Sequence, residues 1–204
     1  MKNTLYLIVC CILILFSCKQ KAKTTQNTAQ PTTDTANQSN GYFNYQNTII
    51  HSSYSDTVFV KFSSDSLEDC FTFYMPDGNI NKTKSIIRIT TKNGELIYEK
   101  VFQTNEIVNG YATYDILNDS EMEQYVLTEA KNVLAKTSFL YINNAKDNSL
   151  IKQTNKEDIQ DYETFLECKN ENRPLFCFRL YEENITYIGY SKIKKKVIDL
   201  IYCC

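Results

Sequence analysis

Leu, Ile, Val, Met and aromatic side chains are missing from residues 19–41 and dense on both sides of that gap, and the two flanks carry different patterns. On the N-terminal side, residues 5–16 form one unbroken apolar run, preceded by Lys2 and closed by Lys19, Lys21 and Lys23. A membrane-spanning helix needs about twenty apolar residues. The run has instead the length of a signal-peptide core, roughly a dozen residues. The gap itself is mostly Thr, Gln, Asn, Ala and Lys, with a single Pro31. Such a segment buries too little apolar surface to offset its ordering entropy, so residues 18–41 are expected to form a flexible tether reaching roughly 25 Å.

Beyond residue 42 the periodicity alternates between two and 3.6. β-branched and aromatic runs bounded by polar turns predict strands over residues 56–62 and 70–75. Residues 85–102 place Asn93-Gly94 between two alternating runs, a hairpin signature because a type I′ turn needs positive φ at both central residues. With those two as the loop, Thr91 faces Leu96, Ile89 faces Tyr98 and Arg88 faces Glu99, so opposite charges meet across the strands.

After Asp119 the pattern is helical. Ser120 with Glu123 makes a capping box, and Met122, Tyr125, Val126, Ala130, Val133 and Leu134 share a face, predicting a helix over 121–138. A second helix is predicted near Asn155, with Thr154 and Glu157 as its capping box and Ile159, Tyr162, Phe165 and Leu166 on one face. Strands return over 174–181, 185–191 and 195–203, joined by short connections that suggest a meander. Strands, then helices, then strands predict one α+β domain over 42–204: an antiparallel β-sheet of about six to seven strands with two helices packed on one face.

Composition narrows the function. Losing residues 1–17 removes one lysine and moves the formal charge from −2 to −3. That balance lacks the clustered basic face a nucleic-acid binder needs. Five glycines in the whole chain leave no phosphate-cradling loop. The absence of Trp, against fifteen Tyr and eleven Phe, argues against a carbohydrate site built on a Trp platform. No cofactor is implied. Metal binding is disfavoured too, because the cysteines lack C-x-x-C spacing and His51 is the sole histidine.

Leu15-Phe16-Ser17-Cys18 resembles the lipobox of bacterial lipoproteins. Leu15 matches the branched aliphatic position, Ser17 the small residue before the cut and Cys18 the lipidated cysteine; Phe16 stands where a small residue is usual. The resemblance covers the first eighteen residues. It implies a signal peptide over 1–17, removal at Cys18, and anchoring of Cys18 in a bacterial envelope membrane, the outer membrane more than the inner. A multiply acylated cysteine anchors stably where one chain binds only marginally, at ~0.8 kcal/mol per buried CH₂. Asp34-Thr35-Ala36, Asp56-Thr57-Val58 and Asp65-Ser66-Leu67 are similar to the O-glycosylation tripeptide of Bacteroidetes periplasmic proteins.

With Cys18 lipidated, Cys70, Cys168, Cys177, Cys203 and Cys204 remain, an odd number. One bridge from Cys203 or Cys204 to Cys168 or Cys177 is a candidate; buried reduced thiols are the alternative. His51 reads as a strand-end histidine. The carboxylates Asp119, Glu121 and Glu123 read as a helix N-terminus, where negative charge is favoured, and Glu182-Glu183 as a turn. The candidate contact surface is the C-terminal meander: Tyr187 and Tyr190, which bring area at low entropy cost, with Lys192, Lys194, Lys195 and Lys196 around the last turn. Lysines there also keep an edge strand from pairing with other chains. The sequence therefore predicts a membrane-tethered binding module with a protein partner in the envelope. The alternatives are an inhibitor or immunity lipoprotein against a hydrolase, and a hydrolase using carboxylates.

Overall fold

A computed structural model describes residues 45–147, 154–182 and 184–203. Cys18, the tether and Cys204 lie outside them. The described chain is α+β, with strands β1 (Ile49–Ile50), β2 (Tyr54–Val60), β3 (Asp69–Met75), β4 (Gly78–Asn79), β5 (Lys84–Thr90), β6 (Leu96–Gln103), β7 (Phe139–Leu140), β8 (Leu175–Leu180), β9 (Asn184–Ser191) and β10 (Lys196–Cys203). Two α-helices are described, α1 (Asp119–Asn132) and α2 (Tyr162–Asn170). The expected single sheet is instead three antiparallel ones, ordered β1-β4, β2-β3-β5-β6 and β10-β9-β8-β7.

The two four-stranded sheets meet through aromatic rings. Phe71 on β3 touches Phe139 at 5.0 Å and Phe176 at 5.2 Å, and Tyr98 on β6 reaches Phe178 at 6.5 Å. Edge-to-face pairs of this kind add about 0.5–1.5 kcal/mol each beyond the area they bury. The helices do not share a sheet face: α1 contacts β1 and β2, whereas α2 contacts β9 and β10. Met122, Val126 and Ala130 of α1 enter the inter-sheet core, at the four-residue spacing that keeps side chains on one face. A second, smaller core holds Phe165 and Cys168 of α2 against Leu175, Tyr187, Leu200 and Ile201. The second sheet is thus covered on both faces. A Cβ on Gly189 would lie 2.7 Å from Leu200 Cδ1 and 3.1 Å from Cys168 Sγ, so glycine is what lets α2 approach β9.

The β5–β6 hairpin keeps the expected pairs Ile89↔Tyr98 and Arg88↔Glu99, and Arg88 Nε lies 2.6 Å from Glu99 Oε2. Its turn differs. Gly94 N–H donates to Thr91 O, Thr91 N–H donates to Glu95 O, and Gly94 alone has positive φ, at 85°. A longer loop with a register shift at Thr90↔Leu96 replaces the two-residue turn, because Asn93 stays out of the left-handed region that type I′ demands. Both helix starts shift as well. Asn118 caps α1 by accepting from Glu121 N–H, and Asp161 caps α2 by accepting from Thr164 N–H. The second capping box joins Asn155 and Asp158 and closes only a short 3₁₀ turn at Lys156–Asp158. The predicted meander is present as β8-β9-β10.

Candidate binding site

The two ends of β9 present different chemistry. At the C-terminal end the lysines expected to form a contact surface are engaged within the chain. Lys192 Nζ lies 2.7 Å from Glu171 Oε2, Lys192 N–H donates to Glu167 Oε2, and Lys194 pairs with Asp161. Burial alone would raise the Asp161 carboxyl, but the Lys194 ammonium and the Thr164 N–H outweigh it and hold it below its ordinary value. Glu171 is lowered in the same way, with Lys192 and Arg173 overcoming burial. Lys195 is exposed with a φ of 52°, and Lys196 opens β10.

Beneath this turn lies Arg173, fully buried. Its Nη1 donates to Phe62 O, in the connection after β2, at 2.8 Å and to Tyr190 O on β9 at 2.9 Å, and its Nε donates to Glu171 Oε2 at 2.7 Å. A buried guanidinium persists only when paired and hydrogen-bonded. The lysine turn is therefore the outer layer of a structural charge network.

The tyrosines expected on the surface are also internal. Tyr187 is 6% exposed and packs toward α2, and Tyr190 is half-buried against the inter-sheet core. Strand β9 is central and covered on both faces, so neither phase of its alternation points to solvent. Of the expected surface, Tyr187 is thus buried and Tyr190 half-buried, while Lys192, Lys194, Lys195 and Lys196 are exposed.

Of the two cysteine expectations, Cys168 fits the buried reduced thiol. Cys168 is a buried free thiol, pushed up to about 11 chiefly by burial, which makes it an inert packing group. Cys203 pairs with Ile185 on β9, and Cys177 lies on β8, across β9 from β10. Two strand spacings are roughly 9.6 Å, beyond the ~7 Å that a disulfide spans, so the register separates Cys177 from Cys203.

His51 and the helix carboxylates serve local structure. Glu123 accepts from His51 N–H at 2.7 Å and lies 2.9 Å from its Nδ1. Glu121 accepts from Leu117 N–H.

At the N-terminal end of β9 the groups are open instead. An open cleft of about 350 Å³ is lined by Tyr45, Asn105, Tyr111, Tyr181, Glu182 and Asn184. Tyr111 and Tyr181 are 57% and 52% exposed. Tyr181 follows β8 with a φ of 61°, a conformation that costs a bulky residue of order 1–3 kcal/mol. Its N–H donates to Glu106 O at 2.5 Å, and Tyr111 N–H donates to Asn109 Oδ1 at 3.0 Å, so both backbones are tied down. Asn105 donates its amide N–H to Asn81 Oδ1 at 2.5 Å. The Glu182 carboxylate lies over Gly110, in space that a Cβ at that position would occupy. Sequence reasoning placed Glu182 in a turn and did not assemble this cleft. The available signal was the three-residue β8–β9 connection, which contains no glycine and so forces a side-chain-bearing residue into the left-handed region.

Two other clefts are less focused. One, of about 430 Å³, separates α1 from β8 around Glu129, Asn132 and Arg179; the other, of about 340 Å³, lies beside Phe59, Leu67 and Lys92. Among the described residues no group of three His, Cys, Asp or Glu side chains is placed to hold a metal ion, and no helix is long and apolar enough to cross a membrane. Comparison with protein-family models, curated proteins and solved structures finds no match.

Proposed function

We propose that this chain is a lipid-anchored binding module of a bacterial cell envelope, held in the outer membrane through Cys18 and presenting its folded part on the 18–41 tether. The observation that carries the binding half is the cleft at the β8–β9 turn, where exposed Tyr111 and Tyr181 stand beside Asn105, Asn184 and Glu182 on backbone fixed by hydrogen bonds. Rigid tyrosines with adaptable polar neighbours suit non-covalent recognition. Glu121 accepts from Leu117 N–H and Glu123 is held by His51 N–H and Nδ1, and this engagement favours recognition over carboxylate-dependent hydrolysis. The anchoring half rests on the lipobox resemblance and the apolar run before it.

Anchoring is tested by metabolic labelling with radioactive palmitate in wild-type and Cys18→Ser cells, followed by fractionation. The reading expects label on the wild type alone and membrane retention that Cys18→Ser abolishes. Unlabelled wild type, or equal retention of both, would contradict it.

A further inference from the structure

We propose that the tyrosine cleft at the β8–β9 turn is a saccharide site taking a neutral pyranose unit of an envelope glycan. This deepens, and rests on, the binding-module reading. A pyranose ring has an apolar C–H face and a rim of hydroxyls, and the cleft offers both complements. Tyr45, Tyr111 and Tyr181 supply aromatic area, with the Tyr181 hydroxyl already bonded to the Glu106 side chain. Asn105 and Asn184 supply amides that donate and accept, and Glu182 supplies an acceptor pair. Asn105 already gives an N–H to Asn81 and keeps its carbonyl oxygen as an acceptor. The lining carries a carboxylate and neither Lys nor Arg, which selects against uronates and sugar phosphates. Its volume lies at the small end of ligand clefts, roughly 300–1,000 Å³, and suits one or two sugar rings better than a long chain or a folded partner.

Tyr181 supplies a second, independent observation. Its left-handed backbone is a conformation that a β-turn ordinarily gives to glycine or asparagine, yet the position carries a bulky ring at the cleft wall. Backbone strain of this kind persists where surrounding structure enforces it, and it clusters at ligand sites. Here the Glu106 carbonyl enforces it.

Isothermal titration calorimetry on the full-length lipoprotein tests the site, using a polyoxyethylene detergent so that no glycosidic headgroup competes. The probes are chitotetraose, cellotetraose, maltotetraose and mannotetraose, with tetramethylammonium as the cationic alternative that tyrosines and a carboxylate also attract. At least one tetrasaccharide is expected to give a saturable isotherm. Tyr181→Ala and Tyr111→Ala should each weaken it about tenfold or more. Gly110→Ala, which displaces the Glu182 carboxylate without entering the core, should weaken it while melting like the wild type. Lys195→Glu should leave it unchanged.

Three results would overturn the proposal: no tetrasaccharide binding at about 10 mM, binding that survives the paired Tyr111→Ala and Tyr181→Ala substitutions, or binding of tetramethylammonium alone. The anchoring reading fails by a separate readout, the palmitate label on Cys18, whatever the isotherms show.

Discussion

The two ends of strand β9 lie in one sheet yet do opposite things with their polar side chains. At the lysine turn the charges are exposed but paired within the chain: Lys192 to Glu171, Lys194 to Asp161, and Arg173 beneath them to the carbonyls of Phe62 and Tyr190. At the tyrosine turn the ring of Tyr181 is half exposed, and the adjoining amides and carboxylate line an open cleft. One end is tied into the fold, and the other lines an open cleft. A count of charges therefore misleads about where a surface is available. What decides is whether each charge already has a partner within the fold.

The sharpest way to break this contrast is to remove the anchor of the cohesive end. Arg173→Ala removes the guanidinium from the Phe62 and Tyr190 carbonyls and leaves Glu171 and Glu167 to Lys192 alone, and truncating one partner of a buried charged pair costs about 3–5 kcal/mol. Urea denaturation should show a loss of that size, and Arg173→Met a smaller one. If Arg173→Ala melts like the wild type, the network is decorative.

Gly189→Ala, midway along the strand, should destabilise by about 1–3 kcal/mol through overpacking against Leu200 and Cys168. Thermal melting checks it.

The two left-handed residues allow the same substitution at both ends. Tyr181→Gly and Lys195→Gly should each stabilise by about 0.5–1 kcal/mol, since glycine adopts their φ without a Cβ clash. Only Tyr181→Gly should also weaken ligand binding. Equal binding losses would erase the distinction between the ends.

The smallest expected effect is in acid. Asp161 and Glu171 titrate below their ordinary values of 3.8 and 4.5 in the folded chain. Their stabilisation is complete above those unfolded values and is lost as pH falls through the lowered folded ones. Melting between pH 5 and pH 2, about the span of such carboxylates, should therefore show an acid-side decline that Asp161→Asn and Glu171→Gln flatten.

Much of the fold was legible where neighbouring residues decide it. The β5–β6 register followed from alternation plus the Arg88–Glu99 pair, and the terminal meander from short polar connections. Helix α1 was visible in the spacing of Met122, Val126 and Ala130, although Asn118 rather than Ser120 caps it. The division into separate sheets was not legible, because it depends on long-range ring contacts such as Phe71–Phe176. The burial of Tyr187 and the pairing of the lysines were not legible for a related reason. Tyr187 faces α2 across a second core, and the partners of Lys192 and Lys194 come from or beside α2, remote along the chain. The tyrosine cleft gathers Tyr45, Tyr111 and Tyr181 from three separate segments, which no local pattern announces.

The central claim is that contact with the envelope is made at the tyrosine end and not at the lysine end. The most direct measurement puts a photo-reactive phenylalanine derivative, which keeps the aromatic ring, in place of Tyr111 or of Ile193, which at 57% and 74% exposure are comparably accessible, and irradiates cells making the full-length protein. The account predicts a defined glycan-bearing adduct from position 111 and none from 193. An adduct from 193 with none from 111 would contradict it.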